Sequence, residues 1–345
     1  MKPITDHRSP TTVIVMGTRG SPLALAQARQ FAQQLEAAHE NLVVKERIIR
    51  TTGDKNQTSS LPAIGGKGVF TLEIEAALLD GSIDFAVHSL KDLPPDLPDG
   101  LTLGCIPKRE SASDVLIVRE DCEQPHPEIE GWDVSPMRWY FLRNGARVGT
   151  SSLRRRATLL HLRSDLQIAD IRGNVDTRLR KMYDENFDAI VLAEAGLRRL
   201  GFVDEQRIET PQGRCFLHRF FDWESVPAPG QGALAIETRA DDNRVLDLLH
   251  ALEHNATRIE TSVERAVVRA LKAGCSTPLG VHASFSDKGK KLMISVVANV
   301  ISPDGKERID VNHEARFADN AESIGQKVAR ELLNKGAREL LNTDH

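Results

Sequence analysis

The chain has 345 residues, enough for two or three domains, and its 40% hydrophobic and 27% charged content is that of a soluble globular protein. A formal net charge of −4 excludes a global attraction to nucleic acid or acidic membranes, so any basic site must be local. No apolar run approaches the ~20 residues of a membrane-spanning helix, and the first twelve residues, MKPITDHRSPTT, lack the apolar core of a secretory signal; a cytoplasmic protein with a frayed N-terminal tail is expected.

Val13–Met16 is predicted as a strand, and Ser21-Pro22 as the start of a helix, with serine at the N-cap and proline at the first helical position. Strand Leu42–Ile49, helix Thr71–Leu79 and strand Ile83–Val87 follow. This β-α-β-α-β order argues for a mainly parallel sheet in an α/β domain. The polar stretch from Thr51 to Ala63 has the irregularity of a lid. A second set begins near Asp114: strands Val115–Val118 and Arg147–Gly149, a helix from Ser152, strand Gln167–Ile171, helix Thr177–Met182 and strand Ala189–Ala193. Residues 119–146 lack periodicity and are expected to form a surface excursion. Ala233–Glu237 follows a Pro-Gly-rich crossing, Pro227 to Gly232, and could return to the first sheet.

From about residue 255 the pattern changes. Thr261 and Glu264 have the spacing of a capping box, and Val263, Ala266, Val267, Ala270 and Leu271 form a helical stripe that Gly274 is expected to stop. Val281–Phe285, Leu292–Val300 and Arg308–Ala315, separated by Asp287-Lys288-Gly289 and Pro303-Asp304-Gly305, are predicted as antiparallel strands. A final helix is expected from about Ala321 to Leu341. The whole is a small α+β domain.

Several polar clusters occupy equivalent places, after a strand and at the opening of a helix, where ligands bind in α/β sheets and free N–H groups favour anions. They are Gly17-Thr18-Arg19-Gly20-Ser21, Val148-Gly149-Thr150-Ser151-Ser152-Leu153-Arg154-Arg155-Arg156 and Arg172-Gly173-Asn174-Val175-Asp176-Thr177-Arg178. Arg198-Arg199 follows a fourth strand. Each, taken singly, also fits a capped helix with solvated arginines. His88-Ser89-Leu90-Lys91-Asp92 places one carboxylate beside a lysine and a serine, a group able to handle protons or stabilise a cation. Gly65-Gly66-Lys67-Gly68 is basic but lacks the full phosphate-loop pattern. No histidine pair has metal-ligand spacing. The four cysteines, at 105, 122, 215 and 275, are too sparse for a disulfide scaffold. Cys275 stands on a loop after a helix, in Gly274-Cys275-Ser276-Thr277-Pro278. Together, arginines, serines, one carboxylate and a loop thiol point to a polycarboxylate substrate and a covalently held group; the residues alone name neither.

Taken in order, TRGSPLALAQ, GGKGVF, AVHSLKDLP, VGTSSLRR, IRGNVDTRL, AGLRRLG, PGQGALAIE and GCSTPLG resemble the porphobilinogen deaminase family, the hydroxymethylbilane synthases, over nearly the whole chain. The resemblance implies two α/β lobes like those of periplasmic binding proteins, with mainly parallel or mixed sheets and a cleft between them, plus a small α+β domain with an antiparallel sheet. The corresponding boundaries are 13–112 with 233–250, 113–232, and 251–345. It implies that Cys275 holds a dipyrromethane cofactor through a thioether, and that Asp92 is the catalytic carboxylate that assists loss of ammonia from porphobilinogen. Four additions to the primer, then hydrolysis, would release the linear tetrapyrrole hydroxymethylbilane. Arg19, Ser21, Lys67, Ser89, Lys91, Ser151, Ser152, Arg154, Arg155, Arg172, Arg178, Arg199 and Gln231 match cofactor- and substrate-contacting positions. No metal, nucleic acid or membrane partner is implied, and a monomer is expected. Ala63 and Leu72 stand where many members carry lysine. A two-lobed solute-binding protein would explain the arginines but not a domain presenting a thiol. A nucleic-acid binder fits poorly with a net acidic chain containing 5% aromatics.

Overall fold

The computed structural model describes residues 11–51, 71–122, 142–203, 207–274, 277–287, 292–317 and 319–341. Within them, two compact units form: one from residues up to 88 with 97–107 and 234–254, the other from 89–96, 108–233 and 255 onward.

The first unit is built on β1 (Thr12–Thr18), α1 (Pro22–Ala38), β2 (Leu42–Ile48), α2 (Leu72–Leu79) and β3 (Phe85–Ser89). Ser21 caps α1 by accepting from the Ala24 N–H, and Pro22 occupies the first turn, where its missing donor costs nothing. Ala28, Phe31, Ala32 and Leu35 repeat at helical spacing and are buried against Ile14, Met16 and Phe85, with the Phe31 and Phe85 rings edge-to-face at 5.8 Å. Strand β1 is parallel to both β2 and β3. The sheet order β2-β1-β3-β11-β4 brings in β4 (Leu101–Cys105) and β11 (Leu234–Arg239), so the late strand does return to the first sheet. These two pair antiparallel, which makes the sheet mixed. The third strand begins two residues later than Ile83, and β4 was not expected. Its five residues, LTLGC, are few and interrupted by Gly104, whose Cβ would come within 2.9 Å of Leu249 on α6 (Asn243–His250).

The second unit holds a sheet of order β7-β6-β8-β5-β10-β9. Its elements are β5 (Asp114–Arg119), β6 (Arg147–Gly149), α3 (Leu153–Leu162), β7 (Gln167–Ala169), α4 (Val175–Asp184), β8 (Ala189–Ala193), α5 (Glu194–Arg199), β9 (Arg207–Thr210) and β10 (Gly213–Arg219). Along β5, Val115 and Ile117 face one core with Leu179, Met182 and Ile190, while Leu116 and Val118 face another with Val148 and Leu159. A sheet covered on both faces explains why residues 115–118 of this strand are all apolar rather than alternating. The β9–β10 hairpin escapes the sequence pattern.

The same unit carries α7 (Asn255–Leu271), a sheet of β12 (Leu279–Asp287), β13 (Leu292–Ile301) and β14 (Arg308–Arg316), and helices α8 (Ala321–Asn334) and α9 (Ala337–Leu341). This sheet is antiparallel throughout. Helices α7 and α8 approach so closely that a Cβ on Gly325 would lie 2.4 Å from that of Ala266. Three expectations are corrected. The helix starts six residues before Thr261, whose hydroxyl donates back to the Thr257 carbonyl instead of capping. It ends not at Gly274 but at Leu271, after which Lys272 takes the left-handed conformation (φ 52°), with Lys272 and Ala273 N–H groups closing on Arg269 and Val268 carbonyls. The final helix breaks at Gly336 (φ 94°). Lys288 and Gly289 of the expected turn, residues 52–63 of the expected lid and most of 119–146 lie outside the described residues.

Candidate active site

Strand β3 runs into a single 3-10 turn, Leu90–Asp92. Leu90 and Leu93 are buried, while the Asp92 side chain is exposed. The turn leans on the crossing before β11: the Leu90 N–H donates to Ala233 O, and a Cβ on Gly230 would meet Leu90 and the Lys91 nitrogen at 3.1–3.2 Å.

Behind the turn lies a buried ionic network. Asp114, 0% exposed at the start of β5, receives Arg154 at 2.7 Å on one oxygen and Arg155 at 2.8 Å on the other. Gln231 donates its amide to Asp114 and to the Ala112 carbonyl, and accepts from Lys91 Nζ at 3.3 Å and Arg155 at 3.4 Å. Ser225 donates to Asp114, and Arg154 donates to the Val226 carbonyl. Burial alone would raise the Asp114 pKa, but the two guanidiniums outweigh it and hold the carboxyl well below its usual range.

The cations show the converse. Burial lowers Lys91 to about 8, against the opposing pull of Asp92. Burial likewise lowers Arg178 to about 10, with Arg155 and Arg172 adding repulsion and Asp92 opposing it. Arg199 falls to about 10 by burial, and Arg155 is lowered by burial and by Arg154. The second unit thus brings Lys91, Arg155, Arg178 and Arg199 into surroundings that burial makes costly for a cation, and Asp92 stands within the field of Lys91 and Arg178. Such a cluster favours an added anion.

The remaining residues divide. Arg178 donates to the Gly173 carbonyl at 2.7 Å and Arg199 to Gly232 O at 2.7 Å. Ser152 caps α3 by accepting from the Arg155 N–H, and Ser151 both donates to and accepts from the Ile171 backbone, so these hydroxyls shape the loops. Arg172 and Ser89 are half-buried in the same unit. Arg19 and Ser21 belong to the other unit, where Ser21 serves as the cap of α1. Lys67 and Cys275 lie outside the described residues. On either side of the thiol, Gly274 donates to the Thr277 hydroxyl and accepts from the Thr277 N–H. Among the described residues no group of His, Cys, Asp or Glu is arranged to hold a metal.

Sequence reasoning missed Asp114, Ser225, Arg109 and Glu264. Asp114 carried one signal: a carboxylate heading an otherwise apolar strand. Glu264, fully buried, accepts from Arg109, the Gly230 N–H and the Ala283 N–H, bonds no local pattern announces.

Residues 14–247 match the model of the porphobilinogen deaminase dipyrromethane cofactor-binding domain, and 259–334 that of the same enzyme's C-terminal domain. The chain belongs to the porphobilinogen deaminase family. A porphobilinogen deaminase of Macrococcus caseolyticus is 41% identical over 331 residues, covering 96% of this chain and 97% of that one. One from Desulforudis audaxviator is 43% identical over 330 residues, covering 95% and 96%. Among solved structures, the VFT2 domain of Bordetella pertussis BvgS is a remote likeness, with TM-score 0.36 and 12% identity over 70% of this chain and 86% of that one. Leu72 is 59% exposed at the first position of α2, so a charged side chain there would stand at the surface.

Proposed function

We infer that this chain deaminates porphobilinogen and joins four such units head to tail on a covalent dipyrromethane primer, then releases hydroxymethylbilane by hydrolysis. The observation that carries the residue roles is the exposed Asp92 carboxylate standing in the field of Lys91 and Arg178, cations made less basic by burial. Pyrroles bearing acetate and propionate groups fit that donor set. Dipyrromethane, when bound, supplies the free pyrrole carbon to which each unit is joined.

The chain's own residues divide the work. Lys91, Arg155, Arg178 and Arg199 bind carboxylates, with Arg19, Ser21, Lys67, Ser89, Ser151, Ser152, Arg154, Arg172 and Gln231 as further contacts or their supports. A site this positive would resist the cation left as ammonia departs. Asp92 offsets that resistance at one point, and its oxygen can manage the proton on the leaving amine. Cys275, as thiolate, is the nucleophile that forms the thioether. Three functional domains, 13–112 with 233–250, 113–232 and 251–345, suit this division. The buried thiols of Cys105 and Cys215 suit a reducing, cytoplasmic setting. The chain works as a monomer, which gel filtration checks.

The deciding experiment is the intact mass of the purified protein and of Cys275→Ser. An excess equal to two porphobilinogens less two ammonias, present only in the former, is expected. Identical masses after incubation with porphobilinogen would overturn the anchor.

A further inference from the structure

Arg265 and Arg269 lie one helical turn apart on α7 and face the segment that follows Asp92. Arg265 Nη2 donates to the Pro94 carbonyl at 2.8 Å and to the Pro95 carbonyl at 2.7 Å. Arg269 Nη1 donates to the Pro95 carbonyl at 3.2 Å, and its other terminal nitrogen is tied to Glu322 on α8. The segment is well suited to such a grip. Leu93 and Pro94 each precede a proline and are confined to extended backbone, as Leu93 is (φ −84°, ψ 139°). The two prolines fix their own φ and cannot donate, so their carbonyls are rigid acceptors. A guanidinium Nη nitrogen carries two N–H groups in one plane and gives one to each carbonyl.

The turn carrying Asp92 is therefore held from two sides. Upstream, the Leu90 N–H is bonded to Ala233 O of the crossing. Downstream, Pro94 and Pro95 are bonded to α7, and four residues after that helix ends comes Cys275. One helix thus grips the backbone beside the proposed catalytic carboxylate and leads directly into the proposed anchor.

We propose that Arg265, supported by Arg269, is a positioning residue that registers Asp92 against the helix leading to the cofactor cysteine. It touches neither substrate nor cofactor. Its action is on backbone placement, to which reaction rates are steep: a misplacement of about 1 Å can cost about 10²-fold. The proposal rests on the roles given above to Asp92 and Cys275.

Arg265→Ala and Arg265→Lys, purified as holoenzyme, test it. Intact mass should show the dipyrromethane increment in both. With porphobilinogen, Arg265→Ala should lose about tenfold or more in kcat, while KM stays within about threefold, and Arg265→Lys should recover part of the loss. Hydrogen exchange should quicken in the peptide spanning Leu90–Asp96 and not in β13. If kcat stays within about twofold of the parent, or if KM alone rises, the proposal is wrong. Should Arg265→Ala fail to fold, the lysine variant carries the test: full kcat with unchanged exchange in that peptide would overturn it. Failure of the underlying reading is separable, because the unmutated protein itself would then lack the mass increment.

Discussion

Lys91 shows how one side chain can carry opposite pH signatures for binding and stability. Burial lowers its ammonium to about 8, from a usual 10.5. As pH rises through about 8 the site loses a cation, so KM for porphobilinogen should climb, and Lys91→Met should remove that alkaline limb while raising KM below it. Stability moves the other way. Between about 8 and 10.5 the unfolded chain holds a proton on this lysine that the folded chain does not. Stability should rise with pH across that window by this group's contribution, and Lys91→Met should flatten the rise in cofactor-free protein. Melting curves at both ends of the window check the sign; an unchanged slope would remove Lys91 as its source. Asp114 makes a second test. Its carboxylate balances two buried guanidiniums, and removing one partner of a buried pair costs about 3–5 kcal/mol. Asp114→Asn should lose stability on that scale in urea titrations and hold less cofactor than the parent. A loss below about 1 kcal/mol would mean that Arg154 and Arg155 find other partners.

At the scale of elements, the crossing between Pro227 and Ala233 does more than connect two parts of the chain. Gly232 has φ 85°, and a Cβ there would sit 2.4 Å from the Glu110 carbonyl oxygen. Its own carbonyl accepts from the Glu110 N–H and from Arg199. Gly232→Ala must shift that backbone, at a cost of about 1–3 kcal/mol, and should displace Arg199 with it. Denaturant midpoints measure the first effect and KM the second; a variant equal to the parent in both would show that the crossing can relax. Elements governed by local chemistry were legible in the sequence. Ser21-Pro22 starts α1, and Ser152 starts α3. Elements whose signals have a long-range use were not. Thr261 and Glu264 mimic a capping box because Glu264 is needed for Arg109 and two backbone N–H groups far along the chain. Strands β4 and β9 are short, and the antiparallel partners of these and of β10 are chosen by the sheet and not by their own sequence.

For the molecule as a whole, the arginine-rich loops could be placed at strand ends from sequence, but their division of labour could not. Whether a guanidinium is spent on an internal carboxylate, as Arg154 is on Asp114, depends on which strand lies beside its helix. What the sequence did establish is a contrast of scales: a chain with net charge −4 that concentrates cations locally. The structure keeps that contrast, with Lys91, Arg155, Arg178 and Arg199 each less basic than usual because burial takes them out of water more than nearby carboxylates compensate. Global repulsion and local attraction have different reach in salt. The Debye length falls from about 30 Å at 0.01 M to about 3 Å at 1 M. If the basic cluster steers the net-anionic dicarboxylate substrate, kcat/KM should fall several-fold across that range while kcat, measured on substrate already bound, changes little. If the overall negative charge dominates the approach, kcat/KM should instead rise as salt screens it. Steady-state rates at fixed pH in rising sodium chloride decide between the two, and a rise would confine the cations' role to holding carboxylates after arrival.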